Sequence, residues 1–195
     1  MRLLLLAPPG AGKGTQGERL AAWSGARHIA AGDLLRAGAR AGGRLSREIT
    51  ACQTRGDLVP DQIVLDVLTP AVAEAAARGG YILDGFPRTL PQAIAAAELA
   101  ARLGVTLDAA VYLYAPDKVL TQRLLDRAGQ GGRADDVADV IKHRLAVFAE
   151  TTGLLVPYYT ERGILVAVDA DRPPDSVTAD IRARLSGLSL ARPRH

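Results

Sequence analysis

Short apolar runs recur along this chain and alternate with longer stretches whose apolar positions repeat at helical spacing. Residues 2–6, with Leu3-Leu4-Leu5-Leu6, read as a buried strand, and 13–24 as the helix that follows it. Arg27-His28-Ile29-Ala30 is a short extended piece, and Gly32-Asp33 opens a helix carrying Leu34, Leu35 and Ala39. Helices are predicted over 46–55 and 61–77, separated by Gly56-Asp57-Leu58-Val59-Pro60, with Pro60-Asp61 as a helix start. Gly80-Tyr81-Ile82-Leu83-Asp84 is the next buried strand and ends in Gly85-Phe86-Pro87-Arg88. A helix over 91–103, a strand over 109–114 and a helix from Pro116 to Ala128 follow, then a glycine-rich tip at Gly129-Gln130-Gly131-Gly132. Asp135 or Asp136 is placed to cap a helix through 151 that resumes to Arg162. Residues 164–168 form the last strand, 174–186 the last helix, and 192–195 a frayed basic tail. Strands this short and this uniformly apolar are buried on both faces, so the alternation predicts a parallel sheet covered by helices on each side. Ligands of such sheets collect beyond the carboxyl ends of the strands, here from Ala7, Asp84 and Tyr114 onward.

The first of those ends carries the densest chemistry. In Ala7-Pro8-Pro9-Gly10-Ala11-Gly12-Lys13-Gly14-Thr15-Gln16, small residues let the backbone bend around an anion with its N–H groups inward. Lys13 adds a full positive charge and the helix N-terminus a partial one. The generic phosphate-loop pattern asks for Gly at position 7 and Ser or Thr at 14, where this chain has Ala7 and Gly14, with Thr15 one place later. Ala7 strains the turn if its φ is positive and costs little if it is negative. The glycine spacing does not fit the dinucleotide fingerprint of dehydrogenases. Without a ligand the segment is simply a glycine-rich strand-to-helix turn. At the second strand end, Asp84 is a carboxylate suited to Mg²⁺ or its waters, and Arg88 suits a bidentate contact with another phosphate. Singly they also fit a turn residue and a surface arginine; beside a phosphate loop they point to phosphate chemistry.

Composition narrows the class. A chain of 195 residues suits one domain with room for a substantial core, and 48% hydrophobic with 23% charged residues is ordinary for a globular protein. Aromatic residues are only 4%, so the core must be built from Leu, Val, Ile and Ala. A net charge of +3 does not call for nucleic acid, but it fits a site that gathers arginines around an anion. The lone Cys52 rules out an intrachain disulfide and a zinc cluster of several cysteines. No run approaches the ~20 apolar residues of a membrane span, and the leading leucines are too few for a signal peptide. A cytoplasmic location, with no membrane or nucleic-acid partner, is the expectation.

Five segments, in order and spacing, resemble those of adenylate kinases and the wider nucleoside monophosphate kinase family. They are Pro9 to Gln16, Gly32-Asp33-Leu34-Leu35-Arg36, Asp57-Leu58-Val59-Pro60-Asp61, Asp84-Gly85-Phe86-Pro87-Arg88-Thr89, and Gly132-Arg133-Ala134-Asp135-Asp136 with Arg144. The likeness covers nearly the whole chain, and Lys-Gly-Thr in the loop is the family's own variant. It implies a P-loop three-layer α/β/α fold with a five-stranded parallel sheet (core 1–29, 60–125 and 137–195). It also implies a helical acceptor-binding subdomain at 30–59 and a short lid at 126–136 that holds no Cys or His for zinc. The implied activity is Mg²⁺-dependent, reversible phosphoryl transfer from ATP to AMP, giving two ADP; a monomer is the default, since no unexplained apolar face stands out.

The resemblance also implies roles. Gly10, Ala11, Gly12, Lys13, Gly14 and Thr15 would cradle the donor phosphates, with Arg123, Arg127 and Arg172 on the donor nucleotide. Arg123 and Arg127 lie one helical turn apart on one face. Arg36 and Arg88 would hold the acceptor phosphate, and Ala31, Asp57, Leu58, Val59, Gly85, Phe86, Pro87 and Gln92 the acceptor nucleoside. Arg133 and Arg144 would close over the transferring group and touch the acceptor, completing a catalytic set with Lys13, Arg88 and Arg127; Asp84 would hold Mg²⁺ through water. Gln92 stands where adenylate kinases read the adenine edge, since an amide offers one donor and one acceptor side by side. Ala31 departs from the Thr usual there and matches UMP/CMP kinases, which typically carry Asn at the site of Gln92. A UMP/CMP-type kinase thus stays open beside the AMP enzyme, as does a catalytically weakened nucleotide sensor, which the presence of Lys13, Arg88, Arg133 and Arg144 argues against. Among the remaining residues, Trp23 is expected to pack the first helix on the sheet, Tyr158 and Tyr159 to pack a helix end, and His28 and His143 to be structural or surface residues rather than general bases.

Overall fold

Four consecutive leucines form a strand only if both faces of that strand are covered, and the structure covers them. In a computed structural model that describes residues 1–55, 57–129 and 137–191, five strands form one sheet. They are β1 (Arg2–Leu6), β2 (Arg27–Ala30), β3 (Tyr81–Asp84), β4 (Ala109–Tyr114) and β5 (Leu165–Asp169), in the order β2-β3-β1-β4-β5, every pair parallel. Parallel neighbours require crossovers, and these supply the helices. They are α1 (Lys13–Ser24), α2 (Ala31–Arg40), α3 (Gly43–Arg55), α4 (Asp61–Ala77), α5 (Leu90–Arg102), α6 (Asp117–Gly129), α7 (Ala138–Glu150), α8 (Leu155–Glu161) and α9 (Pro174–Ala191), with a 3₁₀ turn at Thr152–Leu154.

The strand period of two divides β1 between two cores. Leu3 and Leu5 pack with Leu20 of α1, Val111 and Leu113 of β4, Val168 of β5 and Ile181 of α9. Leu4 and Leu6 point the other way, to Ala93, Leu155, Tyr158 and Tyr159. Tyr158 and Tyr159 are buried edge to face, 4.9 Å between ring centres, as the packing expectation had it. A third core joins Ile29 and Leu83 to Leu35, Ile49, Ile63 and Leu68. It fastens α2 and α3 onto α4 and the edge of the sheet. Each such side chain contributes about 1.5–3 kcal/mol on burial.

Several local expectations need correction. The face α1 turns inward carries Gln16, Gly17 and Leu20; Trp23 falls at its margin, is 37% exposed, and lies under the Arg182 guanidinium instead of on the sheet. Val137 takes the N-cap position of α7 and supplies no side-chain cap, while Asp135 and Asp136 lie outside the described residues. The helix expected through 151 and resuming to Arg162 does so: α7 ends at Glu150, Thr151 with φ −121° and ψ −68° leaves helical geometry, and α8 runs to Glu161. The first helix of the 30–59 segment begins at Ala31, the second at Gly43, and α9 continues to Ala191. The expected lid beyond Gly129, with Arg133, and the tail at 192–195 lie outside the described residues. No helix among the described residues is long and apolar enough to cross a membrane.

Gly80 shows how tightly β3 is set against the chain start. Its φ is +127°, and a Cβ there would stand 2.0 Å from the Met1 carbonyl oxygen, which accepts the Tyr81 N–H at 3.0 Å. Gly80→Ala is expected to remove about 2–4 kcal/mol, from backbone strain plus overpacking. Urea unfolding checks this, and an unchanged midpoint would contradict it.

Candidate active site

β1 lies between β3 on one side and β4 on the other, so the order in which strands are laid down reverses beside its carboxyl end, where α/β sheets bind ligands. In register, Leu5 sits opposite Asp84 and Asp84 opposite Ala30, which brings three strand ends together. A cavity of about 520 Å³ opens above them, a size suited to small-molecule ligands. Its wall combines Gly10, Gly12, Lys13, Gly14 and Thr15 with Arg36, residues 57–59, residues 84–88 and Gln92; Arg123, Arg127 and Arg144 reach it from α6 and α7. Ala11 and Ala31 are buried, at 3% and 1% exposure, and are not part of that lining. Arg172 also stands outside it, donating to the Asp169 carbonyl at 3.1 Å and to Asp180 at 2.7 Å.

The loop after β1 needs its glycines twice over. Gly10 has φ +86°, and a Cβ would stand 2.7 Å from the Leu120 carbonyl oxygen. Gly12 caps α1 with φ +88°. Among the described residues no non-glycine has positive φ, so Ala7 sits unstrained in place of the generic first glycine. The Lys13 ammonium curls into the loop and donates to the carbonyls of Ala7 at 2.7 Å and Pro8 at 3.3 Å. Gln16 faces away, bonded to Pro174 and Thr178, and ties α1 to α9.

Asp84 ends β3, 8% exposed. Burial pushes its carboxyl up, but the His28 ring, the Lys13 ammonium and the Arg88 guanidinium outweigh burial and hold it below the ordinary carboxylate value. The His28 Nε2 stands 3.9 Å from Asp84 and has no hydrogen-bond partner among the described residues. Gly17 makes room for that ring: a Cβ there would meet Nε2 at 2.3 Å. His28 thus belongs to the cavity wall rather than to the scaffold alone. Nothing in its sequence spacing marks this, because the Gly17–His28–Asp84 arrangement exists only once α1, β2 and β3 are side by side. Among the described residues no three His, Cys, Asp or Glu side chains converge as a metal site. One ionised carboxylate with phosphate oxygens nearby is nevertheless the donor set Mg²⁺ prefers.

Two arginines of the wall are aimed by their own segments. Arg36 pairs with Asp33 one turn earlier, and Arg88 Nε donates to the Gly85 carbonyl at 2.8 Å. Gly85 has φ +86°, which favours glycine there, while a Cβ would make only ordinary contact with Arg88 at 3.4 Å and Ala31 at 3.6 Å. Arg123 donates to the Ala170 carbonyl at 3.0 Å. Asp57 receives His143 of α7 at 3.0 Å and Arg55 at 2.6 Å; these bonds, His143 first, hold its carboxyl below the usual value. His143 therefore joins the 57–59 loop to α7, a contact the sequence does not announce. Thr89 caps α5, and Gln92 on its first turn bonds Arg88 and Asp61.

Comparison with known proteins agrees with this geometry. The adenylate kinase family pattern matches residues 5–164. An adenylate kinase of Thermobifida fusca (strain YX) is 43% identical over 178 residues, 91% of this chain and 94% of that protein. One from Methylobacterium radiotolerans is 43% identical over 191 residues, covering 95% and 96% of the two chains. One from Synechococcus sp. (strain CC9902) is 44% identical over 180 residues, covering 92% and 96%. With relatives matched along nearly their whole length, and a phosphate loop facing an arginine-lined wall across one cavity, this chain belongs to the adenylate kinase family.

Proposed function

We propose that the protein catalyses reversible phosphoryl transfer from ATP to AMP, giving two ADP. The observation that carries this is the shared cavity: the phosphate loop and the Arg36, Arg88 and Gln92 wall open onto one space. Phosphoryl transfer asks little covalent chemistry of a protein, so positioning and charge neutralisation supply most of the rate. The N–H groups of residues 10–15 receive the donor phosphates, and Lys13 neutralises the terminal ones. Arg36 and Arg88 fix the acceptor phosphate in line, while Arg123 and Arg127 hold the donor. Arg144, with Arg133, steadies the charge on the group in transit. Residues 57–59 and 85–87 flank the acceptor nucleoside, and the 30–59 segment forms its subdomain. Ala31 supports the acceptor site from beneath Gly85, and Arg172 borders the donor base. Asp84 would hold Mg²⁺ through water, with the nucleotide phosphates completing its shell; the ion supplies charge neutralisation between them. The reading is of a monomeric, cytoplasmic enzyme acting on free nucleotides.

Ala31 favours a second reading, a pyrimidine monophosphate acceptor, because it lacks the hydroxyl usual in AMP enzymes. A coupled assay with ATP and AMP, dAMP, GMP, UMP or CMP decides between them. AMP is expected to give the highest kcat/KM; a UMP value exceeding it by about tenfold would overturn the assignment.

A further inference from the structure

We infer that Asp61 is a specificity-determining positioning residue: it fixes which way round the Gln92 amide presents its donor and acceptor, and so makes the acceptor pocket select a 6-aminopurine over a 6-oxopurine. The inference rests on the reading just given, in which Gln92 meets the acceptor base. Gln92 is 6% exposed and lines the cavity from the first turn of α5. Its Oε1 accepts the main-chain N–H of Arg88 at 2.7 Å, and its Nε2 donates to Oδ1 of Asp61. A backbone N–H only donates, and an ionised carboxylate only accepts. Turning the amide over would set NH₂ against N–H and oxygen against carboxylate. One orientation therefore satisfies both neighbours.

Both neighbours are anchored. Asp61 is the first residue of α4, whose Ile63, Val64 and Leu68 are buried in the core beside β2 and β3. Arg88 is held through its own carbonyl, which accepts the Thr152 hydroxyl at 3.0 Å. An amide has two N–H groups and two lone pairs, and each neighbour uses one. What remains is one donor and one acceptor in fixed order. That order suits a base edge with an exocyclic N–H next to a ring acceptor. A base edge with a carbonyl next to a ring N–H needs the reverse order and would bring donor to donor and acceptor to acceptor. Such a mismatch is penalised more than a missing bond, because buried polar groups are left unpaired. An unrestrained glutamine would turn over and serve both edges. Selectivity thus lies less in Gln92 than in what holds it, and of its two holders only Asp61 acts through a side chain. The plainer role of Asp61, an acid in the first turn of a helix, favours the helix dipole but treats every acceptor alike.

The test is the ratio of kcat/KM for AMP to that for IMP, in wild type, Asp61→Asn and Asp61→Ala. The two nucleotides share ribose and phosphate, so any change in fold or in phosphate electrostatics cancels in the ratio. Asn keeps the shape but accepts or donates, and Ala removes the partner; the second stands in should the first not fold. Wild type is expected to prefer AMP strongly. Either folded variant is expected to lower the ratio by about tenfold or more, mainly through KM, with ATP affinity unchanged. A ratio within about twofold of wild type in the folded variants overturns the inference alone. A wild type that prefers UMP to AMP overturns the functional reading beneath it.

Discussion

Lys13→Met is expected to lower kcat by about three orders of magnitude and to leave the protein folded. The ammonium sits inside the loop, on the carbonyls of Ala7 and Pro8, at the start of α1 and on the cavity wall. It is carried on a helix held down by Leu20 in the core, so its charge is placed before any nucleotide arrives. Charge fixed in advance stabilises a transition state without reorganising at the moment of reaction. Methionine matches the stem and removes only the charge. Lys13→Arg is expected to rescue little, because a planar guanidinium does not replace a compact ammonium among loop carbonyls. A coupled assay alongside a thermal melt reads both halves. Retention of more than about a tenth of wild-type kcat, or a collapsed melt, would refute the assignment.

The features legible in the sequence are those a local segment determines by itself. Four leucines in a row demand two covered faces, and β1 divides them between two cores. Gly10 and Gly12 announce a backbone that other residues adopt only with strain, and both have positive φ. Asp84 and Arg88 share one short turn, so their common place on the cavity wall follows from spacing. Ala7 was undecidable from sequence because the answer is a dihedral angle, and its negative φ removes the objection. Trp23 misled because hydrophobicity says that a ring must be covered but not by what, and here Arg182 of α9 does the covering. The remaining gaps are pairings between distant segments. His28 meets Asp84 only after β2 joins β3, and His143 meets Asp57 across 86 residues of chain. Asp61 reads as a helix start at the end of a family-like segment, and its bond to Gln92 exists only once α5 brings that residue to it.

Arg88→Ala is expected to lower kcat by at least about a hundredfold and to raise the KM for AMP, with ATP affinity unchanged. The residue is bonded at three backbone or near-backbone points. Its N–H goes to Gln92, its carbonyl to Thr152, and its Nε to the Gly85 carbonyl. The first two survive truncation, so the turn and the start of α5 persist and only the guanidinium is lost. That group is aimed from the rim of β3 into the cavity beside Asp84, whose carboxylate it helps keep ionised. On the proposed function its loss acts on the acceptor phosphate directly, and it acts on Asp84 only weakly, since Lys13 and the His28 ring rank ahead of it there. Arg88→Lys separates charge from shape. A lysine restores the positive charge but not the two-pronged contact with phosphate, so it recovers only part of the KM effect. Steady-state kinetics with AMP varied at saturating ATP, then the reverse, distinguish the two sites. A rise in the ATP KM with the AMP KM unchanged would place Arg88 on the donor rather than the acceptor, and an unchanged kcat would remove it from the chemistry altogether.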